Sequence, residues 1–399
     1  MAGTEGPRKP GAASAAERAA RRALAESKRV VIKIGTNTIA RPKDAPGRLS
    51  GGPDREAGGI DAEFLHRVAA ELADLSRAGR EIIVVTSGAV GMGARELGLA
   101  KRPKDLRTKQ ACAAIGQSLL MDEYRRAFGV YGLTAAQVLV TRYTWDDREA
   151  YLNLRSTVEV LLERRVIPVF NENDAVSTAE IAFGDNDQLS AYVASKIDAE
   201  LLVILSDVDM LYDANPREDP GARPIPYVRE LGPEILGAAG GKGTEFSTGG
   251  MRTKLLAVGI ARDARCRVVI AHGRESRAIS RILAGERVGT LFEAASGLRN
   301  RDRWIKNKRP KGRILVDPGA LAAMRGSNSL LPAGVVGVEG SFERGDVVLV
   351  NDAAKVISSL SSAELLAAKG RRTEELESVL GEGAARVVAR PGDTVFLEG

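Results

Sequence analysis

Continuous apolar runs alternate with segments of helical periodicity through most of the chain. The apolar runs are RVVIKI (29–34), EIIVVT (81–86), VIPVF (166–170), LLVIL (201–205) and RVVIA (267–271). Runs of this kind are typical of strands buried on both faces. Helical periodicity occupies the segments 61–78, 147–164, 188–197 and 253–263. The alternation predicts an α/β fold, a three-layer αβα sandwich around a mostly parallel sheet.

The two ends of the chain have a different composition from this α/β body. Residues 1–28 are rich in Ala, Arg and Gly and poor in large apolar side chains, which predicts a disordered N-terminal extension. Segment 41–59 consists of turn formers and charges and is predicted to be an exposed loop. After a basic linker at 298–312, short strands predict a small β-rich domain over 313–399. Its predicted strands are 314–317, 335–338, 346–350, 386–390 and 394–397.

The positive net charge is concentrated in two segments. The chain has a formal net charge of +6. Residues 1–30 hold seven Lys/Arg and three Glu, and residues 298–313 hold eight Lys/Arg and one Asp. Because these two segments together exceed the total, the remaining chain is acidic overall. The basicity is therefore weak support for a catalytic body that binds a polyanion.

Several simple classes are disfavoured by composition. No apolar run reaches the roughly 18 residues of a membrane-spanning helix, and no apolar region follows the N-terminal basic residues as in a signal peptide. Cys112 and Cys266 are far apart, so buried, reduced thiols are expected rather than metal ligands. His66 and His272 are expected to be structural or surface residues. These features predict a cytoplasmic protein without a membrane span.

Polar clusters follow the predicted strands directly, where parallel sheets bind ligands. They are Lys33-Ile-Gly-Thr-Asn37, Ser87-Gly-Ala-Val-Gly-Met-Gly93, Asn171-Glu-Asn-Asp174 and Ser206-Asp207; two more, Gly184-Asp-Asn-Asp-Gln188 and Thr248-Gly-Gly-Met-Arg-Thr-Lys254, open helices. The last cluster has glycines, a helix start and a lysine, which together suit the β- and γ-phosphates of a nucleotide. Neither the G-x-x-x-x-G-K-[ST] loop nor the G-x-G-x-x-G fingerprint is present.

The motifs VVIKIGTNT, VVTSGAV, PVFNENDAV, FGDNDQLSA and TGGMRTK resemble, in order, those of glutamate 5-kinases in the amino-acid kinase family. The resemblance spans residues 29–297 and implies the amino-acid kinase fold. The segment RILVDPGALAAMRGSNSLLPAGVVGVEGSFERGDVVLV is similar to a PUA domain, a fold shared with RNA-modifying enzymes. The combination is typical of bacterial glutamate 5-kinases and implies ATP-dependent phosphorylation of the glutamate γ-carboxylate, the first step of proline biosynthesis.

The resemblance implies a role for each polar cluster. Lys33 and Lys254 would face the transferring phosphoryl group, and Asp187 would orient the lysines or the metal. Substrate glutamate would be held by Ser87, Asp174 and Asn186, with Asp174 suited to its α-ammonium and the other two to its carboxylates. The residues expected to bind ATP are Lys33, Ser206, Asp207, Thr248, Gly249, Gly250, Met251, Arg252, Thr253 and Lys254.

The expected reaction needs no general base. A carboxylate acceptor has an ordinary pKa of about 4.3 and is already ionised at neutral pH. Phosphoryl transfer is mostly positioning and charge neutralisation, which two lysines and Mg²⁺ with ATP as co-substrate can supply. No protein metal ligands are predicted from the sequence.

Partners are also implied by the resemblance. We expect feedback inhibition by proline, a homo-oligomer (dimer or tetramer), and association with glutamyl-phosphate reductase, because the acyl phosphate product hydrolyses readily.

Two alternative functions stay open. One is another amino-acid kinase, acting on acetylglutamate, aspartate, carbamate or uridylate; the PUA resemblance and the NEND and GDND motifs favour glutamate. The other is RNA binding by the PUA domain, suggested by the basic linker. It is disfavoured as the main role by the acidic body and by an aromatic content of only 4%.

Overall fold

The computed structural model divides the chain into two compact units, Met1–Gly297 and Leu298–Gly399. The residues that the structure describes are 11–40, 59–99, 101, 103–178, 185–216, 218–219, 221–238, 250–295, 302, 305–306, 308–372, 375–381 and 385–397. Most of the predicted loop 41–59, together with Thr248 and Gly249, lies outside them. No helix in the described part of the chain is long and apolar enough to cross a bilayer.

An eight-stranded sheet, with order β3-β4-β2-β1-β5-β9-β10-β8, forms the centre of the N-terminal unit. Neighbouring strands are parallel except β9 and β10, which are antiparallel. The strands are β1 Arg29–Ile34, β2 Glu81–Val85, β3 Ala135–Val140, β4 Ile167–Glu172, β5 Leu201–Ser206, β8 Tyr227–Val228, β9 Arg267–His272 and β10 Thr290–Phe292. A separate antiparallel pair consists of β6 Leu211–Tyr212 and β7 Pro224–Ile225.

Helices pack on both faces of this sheet. They are α1 Ala15–Ala23, α2 Thr36–Ile39, α3 Ala62–Arg77, α4 Ala89–Glu96, α5 Leu106–Gly129, α6 Arg142–Asp146, α7 Arg148–Glu163, α8 Asn186–Lys196, α9 Pro233–Ala238, α10 Met251–Asp263 and α11 Ala278–Leu283. Successive residues of β1 join opposite cores: Ile32 packs in one hydrophobic cluster and Val31 in the other. Because strand side chains alternate between faces, the continuous apolar runs fill two cores. This confirms the predicted three-layer fold.

The prediction of disorder over 1–28 is wrong for the part that the structure describes. Helix α1 is capped by the Ser14 hydroxyl, and Leu24 is completely buried. Arg21, only 3% exposed, donates to backbone carbonyls near β8 and β10. These partners lie more than 200 residues away in sequence, so the composition of the segment did not reveal them.

The C-terminal unit is built on a five-stranded sheet of order β12-β11-β13-β14-β15. Its strands are β11 Gly312–Val316, β12 Val335–Gly340, β13 Val347–Val350, β14 Ala354–Ile357 and β15 Thr394–Phe396, and its helices are α12 Pro318–Arg325, α13 Ser362–Ala368 and α14 Leu376–Leu380. The strand predicted at 386–390 is wrong, because only an isolated bridge between Leu330 and Ala389 forms there. Strand β14 was not predicted.

The predicted basic linker also differs from expectation in its described residues. Ile305 is completely buried and packs with Val347 and Val395 of the C-terminal unit. Lys355 Nζ donates to the carbonyls of Lys306 and Lys308 at 2.7 and 2.8 Å. This stretch is therefore part of the C-terminal unit rather than a free connection.

Candidate active site

The predicted site residues lie at the carboxyl ends of adjacent strands of the large sheet. Lys33 is near the end of β1, Ser87 follows β2, Asp174 follows β4, and Ser206 ends β5 with Asp207 directly after it. Strands β4, β2, β1 and β5 are consecutive in the sheet. The carboxyl edge of a parallel sheet is where α/β proteins bind ligands, so the fold gathers these residues at one edge.

Two lysines converge on one buried aspartate. Lys33 Nζ lies 2.5 Å from Asp187 Oδ1, and Lys254 Nζ lies 3.1 Å from Asp187 Oδ2. Asp187 is 0% exposed and each lysine is 5% exposed. Lys254 donates a hydrogen bond, whereas Lys33 makes an ion pair without hydrogen-bond geometry. The three predicted catalytic residues therefore form one cluster.

Local helix geometry aims these side chains into the cluster. The N-cap of α8 is Asp185, whose carboxylate accepts from the Asp187 backbone N–H at 3.0 Å. Because Asp185 performs the capping, the side chains of Asn186 and Asp187 are available to the site. Lys254 lies in the first turns of α10, which begins after Gly250 and packs against α8.

The cluster has an excess positive charge in a buried setting. Two ammonium groups face one carboxylate, which leaves a formal charge of +1 on Lys33, Asp187 and Lys254. Buried charges need partners, and breaking a buried pair is strongly unfavourable. The shared carboxylate satisfies that need while the excess charge attracts an anion more strongly than it would in water. The arrangement suits a phosphate group.

The predicted substrate residues Ser87 and Asn186 are in direct contact. Asn186 Nδ2 lies 3.0 Å from Ser87 Oγ and 2.8 Å from Asn171 Oδ1, and it also donates to the Thr86 carbonyl. Thr86, whose carbonyl accepts from Asn186, is itself held by Tyr124, because Tyr124 OH donates to Thr86 Oγ1 at 2.9 Å.

A chain of side-chain amides, buried in its middle at Asn171 and Gln117, continues from the contact of Asn186 with Ser87. Asn171 Nδ2 donates to Gln117 Oε1 at 2.8 Å, and Gln117 Nε2 donates to Gln137 Oε1 at 3.3 Å. Asn171 is 1% exposed and Gln117 is 8% exposed. The sequence pointed to Asn171, because this residue opens the NEND motif. Gln117 lies in none of the polar clusters found in the sequence. We call Gln137, Gln117, Asn171 and Asn186 the amide relay.

A cavity of about 200 Å³ adjoins the amide relay. Its polar lining consists of Gln117, Ser118, Gln137, Glu172, Asn173 and Asp174. Carboxylates and amides thus line one space that is large enough for a small polar molecule. Asp174 reaches this cavity, and Gln117 belongs to both the cavity wall and the amide relay.

Asp207 is held in place beside β1. Asn37 Nδ2 donates to Asp207 Oδ2 at 3.1 Å, and Ser206 Oγ donates to Oδ1 at 3.1 Å. Burial opposes ionisation of Asp207, but the hydrogen bonds from Asn37 and Ser206 and the charge of Lys254 outweigh it, so the pKa of Asp207 is lowered. Asn37 closes the sequence cluster that begins at Lys33, but the sequence predicted no role for it.

The remaining predicted nucleotide residues are only partly described. Gly250 is the N-cap of α10, and Thr253 Oγ1 donates to its carbonyl at 2.8 Å. Met251 packs against the core and Arg252 is exposed. Thr248 and Gly249 lie outside the described residues. Of the predicted nucleotide motif, the structure therefore describes residues Gly250 to Lys254.

His272 ends β9 opposite Ser206 of β5, but the contact that its ring makes is a structural one. His272 Nδ1 accepts from the backbone N–H of Arg274 at 3.2 Å, a structural contact. Cys112 and Cys266 are free and buried. No group of three His, Cys, Asp or Glu side chains able to hold a metal occurs among the described residues.

Comparison with known sequences identifies both units. The Amino acid kinase family matches residues 28–272, and the PUA domain matches residues 312–380. The glutamate 5-kinase of Methanosarcina acetivorans is 45% identical, with 93% of this chain and 96% of that protein covered. The glutamate 5-kinase of Methanosarcina mazei is 47% identical with the same coverage.

A third relative extends this agreement. The glutamate 5-kinase of Caldanaerobacter subterraneus subsp. tengcongensis is 41% identical, with 93% of this chain and 98% of that protein covered. Both units take part in these matches, which run over nearly the whole length of each protein. The chain therefore belongs to the amino acid kinase family, in its glutamate 5-kinase group, with a PUA domain at the C-terminus.

Proposed function

We propose that this kinase transfers the γ-phosphoryl group of ATP to the side-chain carboxylate of L-glutamate, forming L-glutamyl 5-phosphate for proline biosynthesis in the cytoplasm. The observation that carries the proposal is the convergence of Lys33 and Lys254 on Asp187. The relatives named glutamate 5-kinase support the choice of substrate.

The lysines act by neutralising charge on the transferring group. In phosphoryl transfer, negative charge spreads over the equatorial oxygens, and preorganised cations stabilise it. Lys33 comes from the sheet and Lys254 from α10, so they approach the phosphoryl group from two elements. Asp187 holds both ammonium groups together and acts as no base, because the acceptor carboxylate is already ionised at neutral pH.

Substrate glutamate binds in the cavity beside the amide relay. Asp174 on the cavity wall pairs with the α-ammonium, while Ser87 and Asn186 bind the polar groups of the substrate. The space is lined by both carboxylates and amides, which complements a zwitterion.

The nucleotide binds on the other side of the lysines, against Ser206, Asp207 and the helix start from Gly250 to Lys254, with Thr248 and Gly249 of the same sequence motif as further contacts. Free N–H groups at a helix start favour phosphate. Mg²⁺ in kinases is usually held by phosphate oxygens, waters and one or two carboxylates. The described donor set fits that pattern, with Asp207 as a carboxylate near the nucleotide. The ion supplies further neutralisation of the phosphates when bound.

Three further properties belong to the proposal. Proline, a small zwitterion, competes at the Asp174 and Asn186 corner. The chain assembles as a dimer or tetramer, and glutamyl-phosphate reductase takes up the unstable acyl phosphate by association. Inhibition that survives in Asp174→Ala while glutamate affinity is lost would refute the shared proline site. Release of free phosphate equal to turnover, in the presence of the reductase, would refute uptake by association.

The PUA domain motivates a second, subsidiary role in RNA binding. The fold match and the lysines and arginines of residues 298–313 favour it. Polyanion binding by such residues weakens steeply with salt. Retention of structured RNA at physiological ionic strength would support this role, and its loss under those conditions would exclude it.

Trapping the product with hydroxylamine tests the main proposal. The chain, ATP, Mg²⁺ and hydroxylamine are combined with glutamate, acetylglutamate or aspartate, and the hydroxamate is measured. Carbamate and uridylate are followed by ADP release. We expect hydroxamate with glutamate at a kcat/KM at least ~100-fold above that for each alternative, since a site built for given polar groups rejects analogues that lack them. A preference for any other acceptor would contradict the assignment.

A further inference from the structure

The amide relay has a defined direction because backbone groups fix both ends of its inner part. The Glu172 backbone N–H donates to Asn171 Oδ1 at 3.0 Å, so that atom must be the carbonyl oxygen. The Thr86 carbonyl accepts from Asn186, so the atom of Asn186 that faces it must be the amide nitrogen. A backbone donor and a backbone acceptor cannot exchange roles. The orientations of Asn171 and Asn186 are therefore determined.

This direction limits what Asn186 can offer to a ligand. An amide NH₂ has two hydrogens, and three acceptors surround Asn186 Nδ2: the Thr86 carbonyl, Ser87 Oγ and Asn171 Oδ1. Both hydrogens are thus committed to the protein. Asn186 can therefore offer a ligand only its carbonyl oxygen, which can only accept a hydrogen bond. An ammonium group can donate such a hydrogen bond.

Gln117 is the residue on which this arrangement depends. It accepts from Asn171 Nδ2 at 2.8 Å and donates to Gln137 at 3.3 Å, while being 8% exposed on α5. Without its oxygen, the Asn171 NH₂ group would be buried and lack this acceptor. A buried donor without an acceptor is unfavourable, so the Asn171 amide would turn to seek another, and its contact with Asn186 would change.

We propose that Gln117 is a positioning residue for substrate binding: through Asn171 it holds Asn186 with its carbonyl oxygen available to the α-ammonium of the amino-acid substrate. The inference rests on the proposed function, since it names how that substrate is recognised. It assigns Asn186 the role of acceptor for the ammonium, in place of the carboxylate-binding role expected from the sequence. Gln117 itself makes no contact with the phosphoryl group and leaves the Lys33–Asp187–Lys254 cluster unchanged.

The test compares Gln117→Met, which keeps the approximate size but removes both polar atoms, with Gln117→Glu, which keeps an acceptor for Asn171 Nδ2. Gln110→Met on the same helix is the matched control, since Gln110 donates to the Ser177 carbonyl and is outside the amide relay. For each full-length variant, kcat, the KM for glutamate, the KM for ATP and the melting temperature are measured.

We expect Gln117→Met to raise the KM for glutamate on the order of tenfold, as expected for a misplaced polar contact. The KM for ATP and kcat should stay within about twofold of the wild type, because they depend on the lysine cluster. Gln117→Glu should recover most of the KM for glutamate, since Asn171 keeps its acceptor. Gln110→Met should retain the wild-type KM values.

Two results would overturn the inference. One is an unchanged KM for glutamate in a folded Gln117→Met variant; the other is an equal loss in kcat and both KM values, which would indicate a merely structural role. The wild type serves as the separate test of the proposed function. A wild-type chain that does not phosphorylate glutamate refutes both proposals, whereas an active wild type with an unaffected Gln117→Met variant refutes the positioning role alone.

Discussion

Two charged clusters in the N-terminal unit have the same charges and different surroundings. In the first, Lys33 and Lys254 share Asp187. In the second, Arg21 and Arg287 share Glu17, with Nε–Oε1 distances of 3.1 and 2.8 Å. Each cluster combines two cations with one carboxylate and has a formal charge of +1.

The arginine cluster uses its remaining hydrogens within the protein. Arg21 donates to four backbone carbonyls, those of Pro226, Glu286, Val288 and Gly289. A guanidinium has five donors in a rigid fork, and here they join α1 to the β8 and β10 edge. The cluster is a structural connection.

The lysine cluster lies instead at the carboxyl edge of the sheet, beside the start of α10. Ammonium groups are compact charges suited to phosphate, and both come from elements that the fold directs to one edge. The two clusters contain the same number of cations and carboxylates, so the number of paired charges does not by itself indicate a function. The two clusters are distinguished by their location and by the backbone carbonyls that accept the remaining hydrogens of Arg21.

The largest expected effect is on kcat when either lysine is neutralised. Lys33→Met and Lys254→Met should each lower kcat by about 10³-fold, because each removes a cation from the transferring phosphoryl group. Melting temperatures should change little, since Asp187 keeps one partner. Lys28→Met is the control. Lys28 lies directly before the first residue of β1, at the opposite end from Lys33, and it is mostly exposed. A kcat within tenfold of the wild type would contradict the role.

Asp187→Asn should reduce kcat by about 10²-fold, since two buried ammonium groups would lose their shared counter-charge. The shape of the kcat–pH profile should remain that of the wild type, because Asp187 removes no proton in this account. Loss of the acid limb in the variant, measured between pH 5 and 9, would instead indicate a general base.

Arg21→Met should affect stability and leave catalysis intact. We expect the free energy of unfolding to fall by about 3 kcal/mol, because four backbone carbonyls lose their donor, while kcat stays within about twofold. Denaturant titration and initial rates measure the two quantities. Arg22→Met, at an exposed position of the same helix, should change neither; a large loss of kcat in folded Arg21→Met would remove the contrast between the clusters.

The arginine cluster should also make stability depend on pH. Burial opposes ionisation of Glu17, but hydrogen bonds and charge from Arg287 and Arg21 outweigh it, so its pKa is lowered from 4.5. A lowered folded-state pKa stabilises the protein above the unfolded value and loses that effect as pH falls. The stability difference between the wild type and Glu17→Gln should therefore be full at pH 7 and narrow below about pH 4.5. A difference constant down to pH 3 would contradict this.

The smallest expected effect concerns Asn37 near the lysine cluster. Asn37→Ala removes a bond that lowers the pKa of Asp207, so that pKa should rise toward its ordinary value, as measured by NMR titration of the Asp207 carboxyl carbon. The KM for ATP at pH 7 should rise about twofold to threefold, which corresponds to one weak polar contact. An unchanged pKa would show that Asn37 does not act on Asp207.

Sequence reasoning found five of the eight strands of the main sheet, and the lysine cluster, because both rest on local patterns. Buried apolar runs ended in polar motifs, and the parallel topology brought Lys33 and Asp187 together. Strand β3 was missed because AAQVLV lies at the sheet edge and mixes Ala and Gln with apolar residues. Gln117 was missed because its partner Asn171 is 54 residues away and an amide within a helix carries no signal of its own.

The most direct test is a single-turnover reaction of the wild type and the Lys33→Met/Lys254→Met double variant with ATP, Mg²⁺ and glutamate, quenched with hydroxylamine. We expect glutamyl hydroxamate from the wild type in amounts equal to the ADP formed. In a double variant that remains folded, we expect a transfer rate lower by at least about 10³-fold. ADP without hydroxamate from the wild type, or transfer at the wild-type rate by the double variant, would contradict it.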